Sequence, residues 1–500
     1  MGKTILINED DYRIRAAILK NNVLTEFVNE RKERRGISGN IYKGKVKDII
    51  PGMDAAFVDI GWERTGFLYV SEVTAPPGLY EDISPTLLEE DEKKEEPFKS
   101  PLEKALKEGE DIIVQVVRDP VGTKGPRLTT FISIPGKFLV LMPFINRLGI
   151  SKKITNLKER NRIVEILKKI KPQNAGLILR TLGEGKSEQE LSRDLNYISW
   201  IWRKASFNSK IRAAPSLLYQ EPDLAIRFAR DIFKPEEDKL IVDNLKKFVQ
   251  LKRFFGRYSR NLPSKLEFYN SDLDLYKKYS VEDEIQKALK SKVWLPSGGF
   301  IAIEETEALV SIDVNSGKFT GAAGLENTAL RTNLEATKEI ARQVILRNLG
   351  GIIIIDFIDM RNISNRKKLT HYIRNAFKDD RATTKINTVS SFGLIEMTRE
   401  RISPSLAQIL CESCPRCQGS GFVKSVATIA VEKEKEIRKF LKGTKEKIVT
   451  LGLHPEIFKY LKERNRARIL ERIFKKRIVF EENANLETEE IKFHSKNSLY

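Results

Sequence analysis

The stretch Ala308-Leu309-Val310-Ser311-Ile312-Asp313-Val314-Asn315-Ser316 and its counterpart Gly351-Ile352-Ile353-Ile354-Ile355-Asp356-Phe357-Ile358-Asp359 each carry an apolar run that reaches an aspartate. Runs of this length and β-branched content read as strands, and residues 325–348 between them carry helical periodicity. The unit is βαβ. With a right-handed crossover between neighbouring strands, Asp313 and Asp356 emerge at one edge of the sheet, where α/β folds place their sites. Residues 293–405 continue the alternation, with strands expected at 300–303, 308–314, 351–358 and 387–391 and a basic helix at 365–377. That order predicts an α/β core.

Outward from this unit toward the N-terminus, residues 222–290 read as mostly helical and amphipathic. Residues 136–212 read as a small α/β unit, with strands at 138–142 and 176–180 and a helix opened by the capping box of Ser187 and Glu190. Five strand-like runs at 41–50, 55–60, 66–70, 111–117 and 127–132, joined by glycine-containing turns, predict an OB-type barrel. The barrel is interrupted at 76–99 by an acidic insertion holding Glu89, Glu90, Asp91 and Glu92, which is expected to be solvated. Residues 5–8, 12–19 and 23–28 form an incomplete meander with a tight turn at Asn21-Asn22. Toward the C-terminus a cysteine-rich knuckle at 411–421 precedes a smaller basic α/β unit at 425–500, whose basic run at 464–477 reads as a solvated helix face.

Composition narrows the partners. Lys+Arg of 88 against Asp+Glu of 69 leaves a net charge of +19, which favours polyanions and points to nucleic acid. No apolar run approaches the roughly 20 residues that span a bilayer, and the first residues lack the pattern of a signal peptide, so the expected compartment is the cytoplasm. The three histidines, His371, His454 and His494, stand in no shared motif, which moves phosphodiester chemistry from a histidine pair to carboxylates and metal.

Two hard oxygen ligands at Asp313 and Asp356 suit Mg²⁺, which keeps most of its waters and needs one or two protein carboxylates. In Cys414-Pro415-Arg416-Cys417, followed by Gln418-Gly419-Ser420-Gly421, the two-residue spacing lets both thiolates meet one Zn²⁺. A structural zinc wants four ligands. Cys411 is a possible third, but two chains that each donate Cys414 and Cys417 would close a shared site. A redox pair has the same spacing, although the glycine-rich exit argues against it. In the barrel, Phe57 and Phe67 alternate with Lys43, Lys45, Arg64 and Lys124, the mixture of rings and cations used for single strands, or else a plain core pattern. Gly185-Lys186-Ser187 fails as a phosphate loop because Arg180 stands where its first glycine belongs. Arg180 and Thr181, at a strand end near the helix starting at Ser187, could hold a terminal phosphate or form a surface ion pair.

Asn40-Ile41-Tyr42-Lys43-Gly44-Lys45, Ala55-Ala56-Phe57-Val58-Asp59, Leu295-Pro296-Ser297-Gly298-Gly299, the two aspartate strands, Thr332-Asn333-Leu334-Glu335-Ala336 and Cys414-Pro415-Arg416-Cys417 stand in this chain in the order of the ribonuclease E/G family, which it resembles from its first strands to its tail unit. The resemblance implies an α+β chain of several subdomains. These are an RNase H-like piece in two parts (1–35 and 222–290), an S1-type OB RNA-binding domain at 36–133 and a 5′-sensor at 134–221. A DNase I-like α/β catalytic subdomain at 291–409, a zinc link at 410–424 and a small oligomerisation domain at 425–500 follow.

By the same likeness Asp313 and Asp356 bind catalytic Mg²⁺, Asn315 orients the site, and Phe57, Phe67 and Lys124 hold RNA. Gly136, Val140, Arg180 and Thr181 match the family's pocket for a 5′-monophosphate. The implied activity is single-strand-specific endoribonuclease cleavage of A/U-rich RNA, leaving 5′-phosphate and 3′-hydroxyl ends, in maturation of rRNA precursors and decay of mRNA. The implied particle is a homo-oligomer, dimer or tetramer, around shared Zn²⁺. The alternative is a non-catalytic RNA-binding or ribosome-associated protein. One departure bears on the sensor: Thr383 stands where ribonuclease E has a supporting arginine, and Lys385 is the nearest basic residue. No long disordered scaffold follows up to Tyr500, so the expected architecture is nearer the ribonuclease G side of the family.

Overall fold

Asn21 and Asn22, both left-handed at φ 52° and 62°, turn the chain between β2 (Arg13–Lys20) and β3 (Val23–Arg31), and β1 (Thr4–Glu9) completes the meander expected there. The computed structural model describes residues 2–33, 35–74, 83–85, 106–120, 124–257, 265–317, 325–378, 380–390, 392–401 and 403–494. The meander is finished by strands from far along the chain: β15 (Lys239–Val242) runs parallel to β1, and β16 (Leu266–Phe268) parallel to β15. These two strands correct the mostly helical expectation for 222–290. β15 is almost wholly buried and shows no alternation, and β16 is only three residues long, too short for its alternation to separate a strand from a helical turn. Helices α3 (Leu224–Asp231), α4 (Leu245–Gly256) and α5 (Val281–Ala288) account for the helical part.

The five barrel runs are strands β4 (Ile41–Ile50), β5 (Ala55–Asp59), β6 (Gly66–Tyr69), β8 (Asp111–Arg118) and β9 (Arg127–Thr129). Pairing of β4 with both β5 and β8 closes the sheet into an OB-like barrel, filled by Val46, Val58, Leu68, Val114 and Leu128. Most of the acidic insertion lies outside the described residues. Ile83–Pro85 forms β7, which pairs antiparallel with β12 (Leu148–Ser151) at the edge of a sheet. An open strand edge takes up such backbone partners. The rest of that sheet is β10 (Ile134–Pro135), β11 (Leu139–Met142) and β13 (Gly176–Leu179), flanked by α1 (Leu157–Ile170) and by α2 (Glu188–Ile211), which opens at the predicted capping box. Strand β14 (Ser216–Tyr219) leads back to pair with β4.

The aspartate strands lie in a six-stranded sheet of order β17-β18-β19-β20-β22-β21: β17 (Lys292–Trp294), β18 (Phe300–Glu305), β19 (Leu309–Asn315), β20 (Gly351–Asp356), β21 (Thr384–Ile386) and β22 (Leu394–Arg399). Helices α6 (Leu325–Leu346) and α7 (Ile363–Ala376) supply Ala336, Ile340, Val344, Leu369 and Ile373 to the core under it. The opposite face is not covered in the same way, and Ile352 in the middle of β20 is half exposed, where the run 351–355 reads as a buried strand. The strand expected at 387–391 is absent among its described residues. Asn387 and Ser390 instead lie in the connection from β21 to β22, and Gly393 at φ 83° tightens the turn.

The chain divides into two units, Met1–Ile409 and Leu410–Tyr500. In the second, β23 (Ile448–Leu453) runs parallel to β24 (Arg477–Glu482) and antiparallel to β25 (Ile491–His494), with α8 (Val426–Gly443), α9 (Pro455–Glu463) and α10 (Arg466–Phe474) packed around them. The basic run 464–477 is not one solvated helix face. Left-handed Asn465 and Lys475 bound α10, and Arg466 is drawn inward by Glu434, which is 8% exposed. Among the described residues no helix is long and apolar enough to cross a membrane.

Candidate active site

Along β19 the buried side chains are Val310, Ile312 and Val314, which leaves Asp313 and Asn315 together on the opposite face. Along β20 Ile353 and Ile355 are buried and Asp356 is exposed. Parallel pairing sets Asp313 directly across from Asp356. Asn315 Nδ2 donates to Asp313 Oδ2 at 2.6 Å. Burial, and then the negative charges of Asp313 and Asp359, hold Asp356 above the ordinary carboxylate range. The carboxylates therefore sit on the more open face at the ends of the two strands. Among the described residues no group of three or more His, Cys, Asp or Glu is placed to hold a metal ion.

Helix α6 fixes the loop that follows Asp356. Asn333, fully buried, donates from Nδ2 to the Ile358 carbonyl at 2.8 Å and accepts from the Ile358 N–H at 3.0 Å. Glu326 accepts from the N–H groups of Arg361 and Asn362 at 3.0 and 3.1 Å and from Asn365 Nδ2 at 2.9 Å. The Asn365 contact first, and then these two backbone donors, pull Glu326 below its usual range.

On the barrel, Phe57 and Phe67 pair across β5 and β6 with ring centres 5.4 Å apart, and Tyr69 extends the row at 4.5 Å from Phe67. Arg127 lies 5.3 Å from the Tyr69 ring and is anchored by Glu72 at 2.6 Å. Lys124 and Lys45 are exposed. Lys43 is engaged with Asp111 at 3.2 Å and donates to the Arg212 carbonyl at 3.0 Å.

Arg180, just past β13, donates from Nη1 to the Gly136 carbonyl and to Asp231 Oδ1, both at 2.6 Å. Asp231 also accepts two bonds from Arg230 at 2.9 Å, and Arg230 pairs with Glu221 at 2.7 Å. Burial opposes ionisation of Asp231, yet the guanidinium groups of Arg230 and Arg180 bring it down to about 2. Gly136 has no room for a side chain, since a Cβ there would stand 2.4 Å from Asp194 Oδ1. Asp194 in turn accepts from the N–H groups of Lys137, Phe138 and Leu139 at 3.0, 2.7 and 2.8 Å. The fold thus brings Gly136 and Arg180 into contact. Thr181 is exposed, with its hydroxyl 2.9 Å from that of Ser151, and Val140 lies in register with Ile178 on β13. Thr383 donates to Glu400 at 3.2 Å, and Lys385 is exposed on β21.

In the second unit Cys414 and Cys417 lie in a tight turn closed by the Gln418 N–H to the Cys414 carbonyl at 2.7 Å and the Ser420 N–H to the Cys417 carbonyl at 2.9 Å. Gln418, Gly419 and Gly421 take φ of 50°, 90° and 76°. The N–H groups of Gly421 and Gly419, and then the Cys414 side chain, pull the Cys417 thiol below its usual value. Helix α8 begins only at Val426, so the pair does not open a helix. Cys411 is exposed.

Residues 133–402 match the model of the Ribonuclease E/G family, and residues 413–496 match that described as RNase E/G, Thioredoxin-like domain. The chain belongs to the ribonuclease E/G family. It is 41% identical over 439 residues to ribonuclease G of Salmonella typhimurium (strain SL1344), covering 87% of this chain and 88% of that protein. Ribonuclease G of Haemophilus influenzae is 40% identical over 433 residues, covering 87% and 86%. Ribonuclease E of Escherichia coli (strain K12) is 37% identical over 439 residues, which is 86% of this chain and 40% of that protein.

Within this ribonuclease E/G chain several side chains at the sites go beyond those picked out by sequence. Asp359 had a visible signal, since it follows Asp356 by three residues at the strand end. Tyr69 follows Phe67 by two, the spacing of one strand face. Asn333 lay inside a quoted motif without a role, because its partner is a loop backbone 25 positions away. Asp231 had no local signal at all.

Proposed function

We propose that the chain is a Mg²⁺-dependent, single-strand-specific endoribonuclease that leaves 5′-phosphate and 3′-hydroxyl ends and acts on rRNA precursors and mRNA in the cytoplasm. That it is an endoribonuclease, and so a hydrolase, follows from its family; the rest is the finer proposal. The RNase H-like, S1-type, 5′-sensor and DNase I-like assignments, with the boundaries given above, belong to it. The observation that carries the proposal is the register that sets Asp313 against Asp356 with Asn315 alongside.

Two carboxylates and an amide oxygen are hard donors, and a divalent cation would offset both the burial and the neighbouring charges that raise Asp356, so the residues fit Mg²⁺. When bound, Mg²⁺ supplies positive charge against the scissile phosphate and polarises water for in-line attack. Asp313 and Asp356 would hold the ion. Asn315 fixes the Asp313 carboxylate through its Nδ2 and leaves its own carbonyl oxygen available. Phe57 and Phe67 offer faces to unpaired bases, which is why a paired strand would not fit, and Lys124 faces a phosphate. Arg180 and Thr181, with the Gly136 backbone beside them and Val140 on the next strand, would receive a 5′-monophosphate.

In the second unit the proposal is that Cys414 and Cys417 supply half of a tetrahedral Zn²⁺ site and a second copy the other half, giving a homo-oligomer. Backbone N–H groups aimed at Cys417 support thiolate ligation, and the absence of a helix start at the pair speaks against redox chemistry. Zinc removal is expected to halve the particle mass in light scattering; an unchanged mass refutes the shared site.

The test of the active site incubates the protein and its Asp313→Asn variant with an unstructured RNA bearing a 5′-monophosphate or a 5′-hydroxyl, in Mg²⁺ or EDTA. Internal cuts that need both Mg²⁺ and Asp313 are expected, faster on the monophosphate. Full cutting by the variant or in EDTA would overturn the assignment.

A further inference from the structure

Helix α2 buries one side through Leu191, Leu195, Ile198, Ile201 and Ala205. Its other side should be polar, yet Trp200, Phe207 and Ile211 stand there 52%, 63% and 65% exposed. Their spacing of seven and then four residues places them on one line along the helix. Arg203, Lys204 and Lys210 flank the line, and from residue 195 to residue 212 the sequence has no Asp or Glu. Among the described residues these three cations form no ion pair. Lys204 Nζ lies 5.5 Å from the Trp200 ring, and Tyr197 stacks near Trp200 with ring planes 17° apart. The end of the helix is tied to the barrel, because Lys43 reaches the Arg212 carbonyl and β14 pairs with β4.

An apolar stripe this exposed marks an interaction surface. A second copy of the same helix would set its cations against these, with no acid on either side to answer them. A polyanion that carries flat apolar rings answers both features at once. We propose that this face of α2 is a second RNA-binding surface, separate from the aromatic row on the barrel: it takes a single-stranded segment whose bases stack on Trp200 and Phe207 and whose phosphates meet Arg203, Lys204 and Lys210. It does not depend on the roles of Asp313 and Asp356.

The experiment measures binding of fluorescent unstructured RNAs of roughly 8 and roughly 30 nucleotides, lengths within and beyond the reach of one barrel site, to the full chain in EDTA. The Trp200→Ala/Phe207→Ala variant is expected to bind the longer RNA about 10-fold more weakly. The Arg203→Gln/Lys204→Gln/Lys210→Gln variant is expected to reduce the salt slope by about 2, at roughly 0.7 for each phosphate contact on single strands. Binding of the short RNA, and its cleavage in Mg²⁺, stay as they were. Photo-crosslinking of 4-thiouridine RNA to the unaltered chain, expected to label the α2 peptide, decides the matter even if a variant folds poorly. Unchanged affinity and slope, or crosslinks that spare α2, overturn the proposal. So does a ring variant that loses oligomer mass while keeping its RNA affinity, since that outcome gives the face to a second copy. Failure of the short RNA to be cut would count against the active site alone.

Discussion

The two charged clusters of the first unit are built on opposite terms. At the ends of β19 and β20, Asp313, Asp356 and Asp359 push against one another, and burial first, then this repulsion, make Asp356 hold its proton more tightly. Past β13, charges alternate in sign from Arg180 to Asp231 to Arg230 to Glu221, and Asp231 is ionised down to about 2. Among the described residues no salt bridge reaches the first cluster, which is the basis for proposing that it takes a cation. The second is neutral in itself, so an anion arriving at Arg180 must share a guanidinium that Asp231 already holds. On the proposed roles, the first would be poised for its ligand and the second would have its affinity set by an internal competitor.

Removing a carboxylate is the harshest way to break this contrast. Asp356→Asn is expected to lower single-turnover cleavage at saturating RNA by about 10³-fold or more, as loss of an ion's transition-state stabilisation implies, with RNA affinity in EDTA kept. A fall in affinity instead of rate would make Asp356 a binding residue. Asn333→Ala comes next. It leaves the Ile358 N–H without its buried partner and frees the loop that carries Asp359, so a loss of about 10- to 100-fold in the same assay is expected. Wild-type rates there would mean that the loop is held by Glu326 alone.

At the proposed 5′-phosphate pocket the expected effects are gentler. Arg180→Gln is expected to erase the preference for 5′-monophosphate RNA, about 10-fold, while cleavage of 5′-hydroxyl RNA continues. Asp231→Asn keeps an oxygen for Arg180 but removes the competing charge, so the preference should rise by about three-fold. A preference that falls in Asp231→Asn would show that its charge positions Arg180 more than it competes.

The same contrast explains what sequence could show. The βαβ unit was legible because apolar alternation, a long helix and two strand-terminal aspartates are local patterns, and the barrel because five short runs alternate between glycine turns. Strands β15 and β16 were hidden: β15 pairs with β1 from 235 residues away, β16 pairs in turn with β15, and both are too short to display a period. The Arg180–Asp231 pair spans 51 positions, and nothing near either residue announces the other. Like charges clustered at strand ends can be read from spacing. Compensated charges are assembled by the tertiary fold, and so is the loop anchor at Asn333.

Lys137 offers the finest test, because it lies beside Gly136 and serves the compensated cluster without an acid in direct contact. The residue is 2% exposed, and its amine donates to the Ala229 and Phe233 carbonyls, both at 2.9 Å, at the end of α3 next to Arg230 and Asp231. A cation suits that helix terminus. Burial nonetheless brings its pKa from 10.5 down to about 8. Below pH 8 both folded and unfolded chains carry the proton, and burying the charge opposes folding. Between about 8 and 10.5 the unfolded chain still holds a proton that the folded chain has released, so this contribution to stability rises with pH. Hydrogen exchange across β11 and α3 should therefore show the wild type gaining on Lys137→Met between pH 7.5 and 10, by on the order of 1 to 3 kcal/mol. Parallel profiles would mean that the two carbonyls keep Lys137 charged throughout. Over the same range Asp231 stays ionised, so the 5′-monophosphate preference should hold constant while the strand beneath it becomes more stable.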